Sequence, residues 1–150
     1  MAIQTLGFIK MKIEKIVKSI HELALQIGIH FETSYNNKWA GFVEHTIGIP
    51  PKKPSKRKIW RGFFFIRPQI GTLCFYAPAT PRAQELSQRY GLNVKTQHWD
   101  TVSGNSSLPG DIVFLGVSLG QIDFGDQKQR KFFEYIMRAR HRYCFPKMKL

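Results

Sequence analysis

Two segments, one towards each end of the chain, repeat apolar residues with the period of an α-helix. The spacing predicts a helix over residues 10–27, whose buried stripe comprises Ile13, Ile16, Val17, Ile20, Leu23 and Ile27. It predicts a second helix over residues 127–144, with Asp126 as its N-cap. The apolar side of that helix contains Phe132, Phe133, Ile136 and Met137.

The chain between these two segments has the pattern of strands joined by turns. Alternating or continuous apolar runs predict strands over residues 29–35, 59–67, 72–77, 93–99 and 111–119. Residues 68–71 suit a hairpin connection, Pro81 opens a short helix, and residues 39–49 are ambiguous and could form another short helix. We therefore predict an α+β fold, in which a mixed or antiparallel sheet of four to five strands accompanies the two long amphipathic helices.

The composition is that of a folded protein. Hydrophobic residues make up 43% and aromatic residues 13% of the 150 positions, which predicts a single domain over residues 1–150. Two cysteines are too few for a disulfide scaffold, and we find neither a secretory leader nor a run of about 18 apolar residues. These features predict a soluble protein of the cytoplasm or another intracellular compartment with no membrane partner. The oligomeric state stays open.

Positive charge is concentrated in two parts of the chain. The formal net charge is +13, and residues 51–75 contribute seven basic side chains without an acid. Residues 127–150 contribute eight basic side chains against one acid, Glu134. Within residues 50–58, three prolines accompany five cations, which excludes a core element and predicts an exposed basic loop.

Concentrated charge of one sign is typical of a protein whose partner carries the opposite charge. We therefore predict that the chain binds nucleic acid, either DNA or RNA, through the phosphate backbone. The predicted contacts are Lys52, Lys53, Lys56, Arg57, Lys58, Trp60, Arg61, Lys131, Arg138 and Arg142. A solvated loop and a solvated helix face are the plain alternatives. Another is a subunit of a ribonucleoprotein or protein complex that uses the same cations.

One aromatic run within this basic region has a known counterpart. Residues 61–66, with the sequence RGFFFI, resemble the RNP1 element of RNA-recognition-motif domains, which begins with a basic residue, glycine and an aromatic residue. The resemblance covers this run alone. It implies that Phe63 and Phe65 stack on bases and that Arg61 reaches a phosphate.

Two other local motifs are similar to those of metal-dependent nucleases. Residues 37–44, with the sequence NKWAGFVE, resemble the opening motif of MutH-type nucleases, in which the glutamate (Glu44 in this chain) lies on a helix near the metal. Asp111, followed by Asp126-Gln127-Lys128, resembles the Asp…(Asp/Glu)-x-Lys signature of the restriction-endonuclease-like superfamily. These resemblances imply a second hypothesis, a divergent Mg²⁺-dependent endonuclease, with Glu44, Asp111, Asp126 and Lys128 as the residues to test.

Histidine and cysteine spacing gives no further candidate site. The five histidines and two cysteines lack the paired spacings of zinc sites, so we predict no metal site. A nucleic-acid-binding function needs no cofactor, and Mg²⁺ enters only with the nuclease hypothesis.

Overall fold

A computed structural model describes residues 2–39, 42–51, 61–96 and 111–150 of the chain. In chain order the helices and strands are α1 (Ala2–Gln26), β1 (Glu32–Trp39), β2 (Phe42–Ile49), β3 (Arg61–Arg67), β4 (Thr72–Pro78), α2 (Pro81–Arg89), β5 (Lys95–Thr96), β6 (Ile112–Ser118) and α3 (Gln127–Cys144). The predicted basic loop over residues 50–58 falls almost wholly outside the described residues, from residue 52 onward.

The strands form one antiparallel sheet in the order β1-β2-β3-β4-β6-β5. The predicted α+β class and the two long helices are therefore confirmed, although the six strands exceed the predicted four to five. The additional strand is β2, in the segment that we considered for a short helix. Its residues pair with both β1 and β3, and this tertiary pairing decides a conformation that the local sequence left ambiguous.

The turn between β3 and β4 follows from its residues. Pro68 begins a single 3₁₀ turn, and Gly71 ends it with φ at 60°. That left-handed conformation suits glycine, because glycine has no Cβ to clash with the backbone. The hairpin predicted at residues 68–71 is confirmed.

Both long helices pack on the same face of the sheet. Phe133 of α3 lies 6.1 Å from the ring of Phe64 on β3, and Phe132 lies 5.8 Å from the ring of Phe75 on β4. The apolar stripe of α1 joins the same core through fully buried Ile20. The apolar stripes of the two helices and one face of the sheet thereby bury one another's surface away from water.

An irregularity between β2 and β3 changes which side chains enter this core. The register shifts so that Ile47 pairs with Phe64 while Gly48 pairs with Gly62, which leaves Phe63 as an extra residue. Phe63 and Phe64 consequently both contact the ring of Phe31 on the helix-covered side. The backbones approach closely here, since a Cβ at Gly48 would collide with the carbonyl group of Arg61.

The opposite face of the sheet carries a second, smaller aromatic cluster. The rings of Phe65, Tyr76 and Phe114 lie 5.2–5.6 Å apart, and buried Cys74 packs with them. Burial raises the pKa of the Cys74 thiol to about 12. The charges of Arg67 and Glu44 have smaller effects on this pKa, and Arg67 lowers it whereas Glu44 raises it. The thiol is therefore protonated at neutral pH and is a packing group.

Helix α3 runs along the length of the sheet. It begins after Asp126, whose carboxylate accepts a hydrogen bond from the backbone N–H of Lys128 at 2.8 Å, so the predicted N-cap is confirmed. Its last turns lie at the other end of the sheet, where β3 begins and β4 ends. Among the described helices, none has both the length and the apolar character that crossing a bilayer requires.

Candidate nucleic-acid interface

The candidate interface lies where the last turns of α3 meet the start of β3. Nε of Arg140 donates a hydrogen bond to the carbonyl oxygen of Gly62 at 3.1 Å. The same guanidinium group lies 4.1 Å from the ring centroid of Tyr76 and 5.7 Å from that of Tyr143. The planar cation is thus held against two aromatic faces, a geometry that keeps its charge in a fixed place.

The two basic segments of the sequence meet at this point. The hydrogen bond from Arg140 ends on the residue that follows Arg61, so the last turns of α3 lie beside the start of β3. Burial raises the pKa of the Cys144 thiol, and the positive charges of Arg140 and Arg61 act against that rise. Arg61 is the first described residue after the predicted basic loop, and its side chain is exposed. We use the name basic end for these two arginines together with the exposed cations that follow Arg140 in the chain; the set is Arg61, Arg140, Arg142, Lys147 and Lys149.

The outer side of α3 adds cations to the basic end. Lys131 and Arg142 are exposed, and the side chain of Arg138 is 43% exposed, as the predicted solvent-facing side of this helix requires. Lys128 to Arg142 spans about 21 Å at 1.5 Å per residue, a length in which one DNA strand presents about six phosphates. This row of cations also contains one acid, Glu134. Its Oε1 accepts a hydrogen bond from Nε of Arg138 at 3.1 Å, which partly neutralises that arginine.

A groove opens beside Arg140. It has a volume of about 280 Å³ and lies between the end of β4, the start of β6 and the last turns of α3. Its walls are mostly apolar and include Tyr76, Pro78, Ile112 and Tyr143, with Asp111 among the lining residues. Tyr143 is 46% exposed, so a large aromatic ring stands at the rim of the groove.

The carboxylate proposed for a MutH-type metal site has a different role. Glu44 lies on strand β2, whereas that resemblance implied a helix. Its Oε2 accepts a hydrogen bond from Nε of Arg67 at 3.2 Å, and the two side chains are only 10% and 8% exposed. A buried carboxylate beside an arginine has its charge neutralised inside the protein, and Glu44 thereby pairs β2 with the end of β3 through Arg67.

The other nuclease candidates lie far apart. Asp111 precedes β6, at the end of the sheet where β4 finishes, whereas Glu44 and Asp126 belong to the opposite end. Strand β6 alone separates these ends by about 20 Å at about 3.4 Å per step. Asp126 caps α3, and Lys128 is exposed in its first turn. Within the described ranges, no three His, Cys, Asp or Glu side chains are grouped so that they could hold a metal ion.

The RNP1 resemblance fails at its first ring. Phe63 is 1% exposed and contacts Phe31 in the core, so it has no face available for a base. Phe65 lies on the other side of the sheet, packed against Tyr76 and Phe114. The register shift at Gly48 is the physical reason, because it turns the two rings to opposite sides. Arg61 remains exposed, as that resemblance required.

Several predicted contacts lie outside the described residues; they are Lys52, Lys53, Lys56, Arg57, Lys58 and Trp60. The structure adds two rings that the sequence analysis missed, Tyr76 and Tyr143. Tyr143 follows Arg140 by three residues on one helix, a spacing that could have indicated their contact. Tyr76 carries no such signal, because only the tertiary fold brings it to α3.

Comparison with protein families, curated proteins and solved structures finds no match for this chain. The site must therefore be interpreted from its own chemistry.

Proposed function

We propose that this protein binds nucleic acid through the phosphate backbone, using the basic end and the outer side of α3. The observation that carries the proposal is the hydrogen bond from Nε of Arg140 to the carbonyl oxygen of Gly62, the residue that follows Arg61. Two segments that are distant in sequence contribute cations to one surface, which concentrates the field of the chain. The predicted loop contacts from Lys52 to Lys58 extend this proposal towards the residues that precede Arg61.

The balance of charge around the site supports a polyanionic partner. Arg140 bonds to a backbone carbonyl and stacks on tyrosine rings, so no carboxylate neutralises it within the described part of the chain. Arg142, Lys147 and Lys149 are exposed. A surface with several cations and few acids attracts phosphates, and the release of counterions on binding makes the affinity depend strongly on salt.

Charge reversal tests the proposal directly. A triple variant with Arg61→Glu, Arg142→Glu and Lys147→Glu should lose most of its affinity for DNA and RNA oligonucleotides in fluorescence anisotropy. The slope of log affinity against log salt should also fall by about three, because each cation–phosphate contact contributes about one.

The matched control reverses three cations elsewhere, Lys10, Lys15 and Lys18 on α1. Lys10 and Lys18 line a groove beside His45 and Pro68, at the opposite end of the sheet from Gly62. Both triple variants have the same net charge, so only the position of the charge differs. Equal losses in the two variants would show that binding depends on net charge alone, and the proposed interface would be wrong.

No specific observation favours a second function. Glu44 is neutralised by Arg67, and Asp111 and Asp126 lie at opposite ends of the sheet. The nuclease hypothesis therefore remains a prediction from sequence resemblance alone.

A further inference from the structure

The groove beside Arg140 has the dimensions of a site for one small flat group. Pockets for drug-sized ligands usually enclose about 300–1,000 Å³, and this groove, at about 280 Å³, lies just below that range. Its apolar walls come from Tyr76, Pro78, Ile112 and Tyr143. Such walls favour burial of an aromatic ring.

Charge complementarity indicates what kind of aromatic ligand suits the groove. Arg140 lines the groove, and its hydrogen bond to the carbonyl oxygen of Gly62 places it beside the backbone of the residue next to Arg61, so a ligand that enters meets positive charge. A free aromatic side chain or a neutral heterocycle carries no negative charge, so it gains no electrostatic attraction from that positive charge. A nucleotide combines a flat ring with an anionic phosphate, and base stacking on exposed aromatic rings is the usual mode of single-strand binding.

An acid among the described lining residues, Asp111, adds a preference among bases. Asp111 is exposed, and its carboxylate has no hydrogen-bond partner in the described part of the chain. A carboxylate accepts hydrogen bonds and cannot donate them, and it repels a phosphate. It therefore suits a base that presents an exocyclic amino group, as cytosine, adenine and guanine do and thymine and uracil do not.

Resting on the proposed function, we propose that the groove binds one unpaired nucleobase of a single-stranded nucleic acid. Tyr143 provides the stacking face, Arg140 fixes the adjoining phosphate, and Asp111 accepts a hydrogen bond from an exocyclic amino group. In a duplex the base edge is occupied by pairing, so the groove distinguishes single strands from double strands.

Anisotropy titrations with oligonucleotides of about 12 nucleotides test this inference, a length within the usual site size for one single-strand-binding domain. The probes are oligo(dC), oligo(dT), oligo(rC) and a DNA duplex of the same length. We expect oligo(dC) to bind more tightly than oligo(dT) and than the duplex. Similar affinities for oligo(dC) and oligo(rC) would show that the base, rather than the sugar, is recognised. A strong dependence on the sugar would contradict the inference.

Two substitutions assign the roles of the groove residues. Tyr143→Ala should weaken oligo(dC) binding by about tenfold, within the usual range for one stacked base, and should leave duplex binding nearly unchanged. Tyr143→Phe should retain the affinity. Asp111→Asn should abolish the preference for oligo(dC) over oligo(dT), because the asparagine amide both donates and accepts hydrogen bonds.

The control is Tyr35→Ala, which removes a ring of comparable exposure (54% against 46%) from β1, beside His45 and Pro68 at the opposite end of the sheet. The inference is wrong if Tyr143→Ala weakens single-strand and duplex binding equally, or if oligo(dC) and oligo(dT) bind alike. Salt-dependent binding would in either case persist and leave the proposed function standing. If no probe binds with salt-dependent affinity, the proposed function and this inference both fail.

Discussion

Among the described residues, Arg67 and Arg140 both lie over aromatic rings, and they differ in what neutralises them. Arg67 lies 5.4 Å from the ring of Phe114 and is bonded to Glu44, with both side chains buried. Arg140 lies 4.1 Å from the ring of Tyr76 and bonds a backbone carbonyl, with more of its side chain in contact with solvent. A buried cation loses its hydration, and a neighbouring carboxylate is needed to compensate for that loss. A solvent-accessible cation without an acidic partner can still attract an anionic ligand, and this difference is why we propose a binding role for Arg140 and a structural one for Arg67.

The largest effect expected is on stability, from breaking the buried pair. Arg67→Met leaves Glu44 buried without its cation, so the free energy of unfolding should fall by about 3–5 kcal/mol in urea denaturation. The double variant Glu44→Gln with Arg67→Met should recover part of this loss, because it removes both charges.

Arg138→Met is the matched control for that experiment. It also breaks an arginine–glutamate pair, but both partners are exposed, so it should cost only about 0.5 kcal/mol. A loss for Arg67→Met no larger than that of the control would remove the distinction between the two arginines.

The next effect is on binding, from removing the unneutralised arginine. Arg140→Gln should weaken oligonucleotide binding by about tenfold, since a charge-assisted hydrogen bond contributes about 1.5–3 kcal/mol. Arg140→Lys should retain part of that affinity but lose the planar stack on Tyr76. Lys15→Gln on α1 removes one cation elsewhere and should change the affinity little. If it weakens binding as much as Arg140→Gln does, the position of Arg140 has no special role.

A smaller effect should follow from freeing another arginine. Glu134→Gln removes the acid that holds Arg138, so we expect oligonucleotide affinity to rise by about two- to threefold. Stability should fall by no more than about 0.5 kcal/mol, because the pair is exposed. Unchanged or weaker binding would place Arg138 outside the contact surface. Anisotropy and urea denaturation of the same preparation measure both quantities.

The smallest effect concerns a buried histidine on α3. Burial lowers the pKa of His141 from 6.5, and its Nδ1 has no hydrogen-bond partner among the described residues. The folded state therefore binds fewer protons than the unfolded state below about pH 6.5, and stability should decline as the pH falls through that value. His141→Gln should reduce the slope of stability against pH between about pH 6.5 and 5.5. An unaltered slope would assign the effect to His21 and His45, whose pKa values burial also lowers.

Much of the fold could be predicted from local patterns. The helical stripe from Ile13 to Ile27, the N-cap at Asp126 and the turn at Gly71 are each encoded within a few residues, and each is confirmed. Strand β2 was ambiguous, because its conformation depends on partners in β1 and β3.

The candidate site was less accessible to prediction for a similar reason. Cations on α3 were evident from their spacing, but the groove combines Tyr76, Asp111 and Arg140 from three separate elements. The burial of Phe63 depends on a one-residue register shift, and no feature of the run RGFFFI indicates that shift. Pairing and register are properties of the whole sheet.

The packing of α1 against α3 also has a consequence for biosynthesis. Nη2 of Arg130 donates a hydrogen bond to Oε1 of Gln26 at 2.9 Å, across 104 positions of sequence. During translation, the apolar stripe of α1 is without this neighbour until the ribosome has released α3. The core therefore lacks the apolar side of α3 until late in synthesis, and a chain truncated before α3 should expose the apolar side chains that α3 covers and should be prone to aggregate.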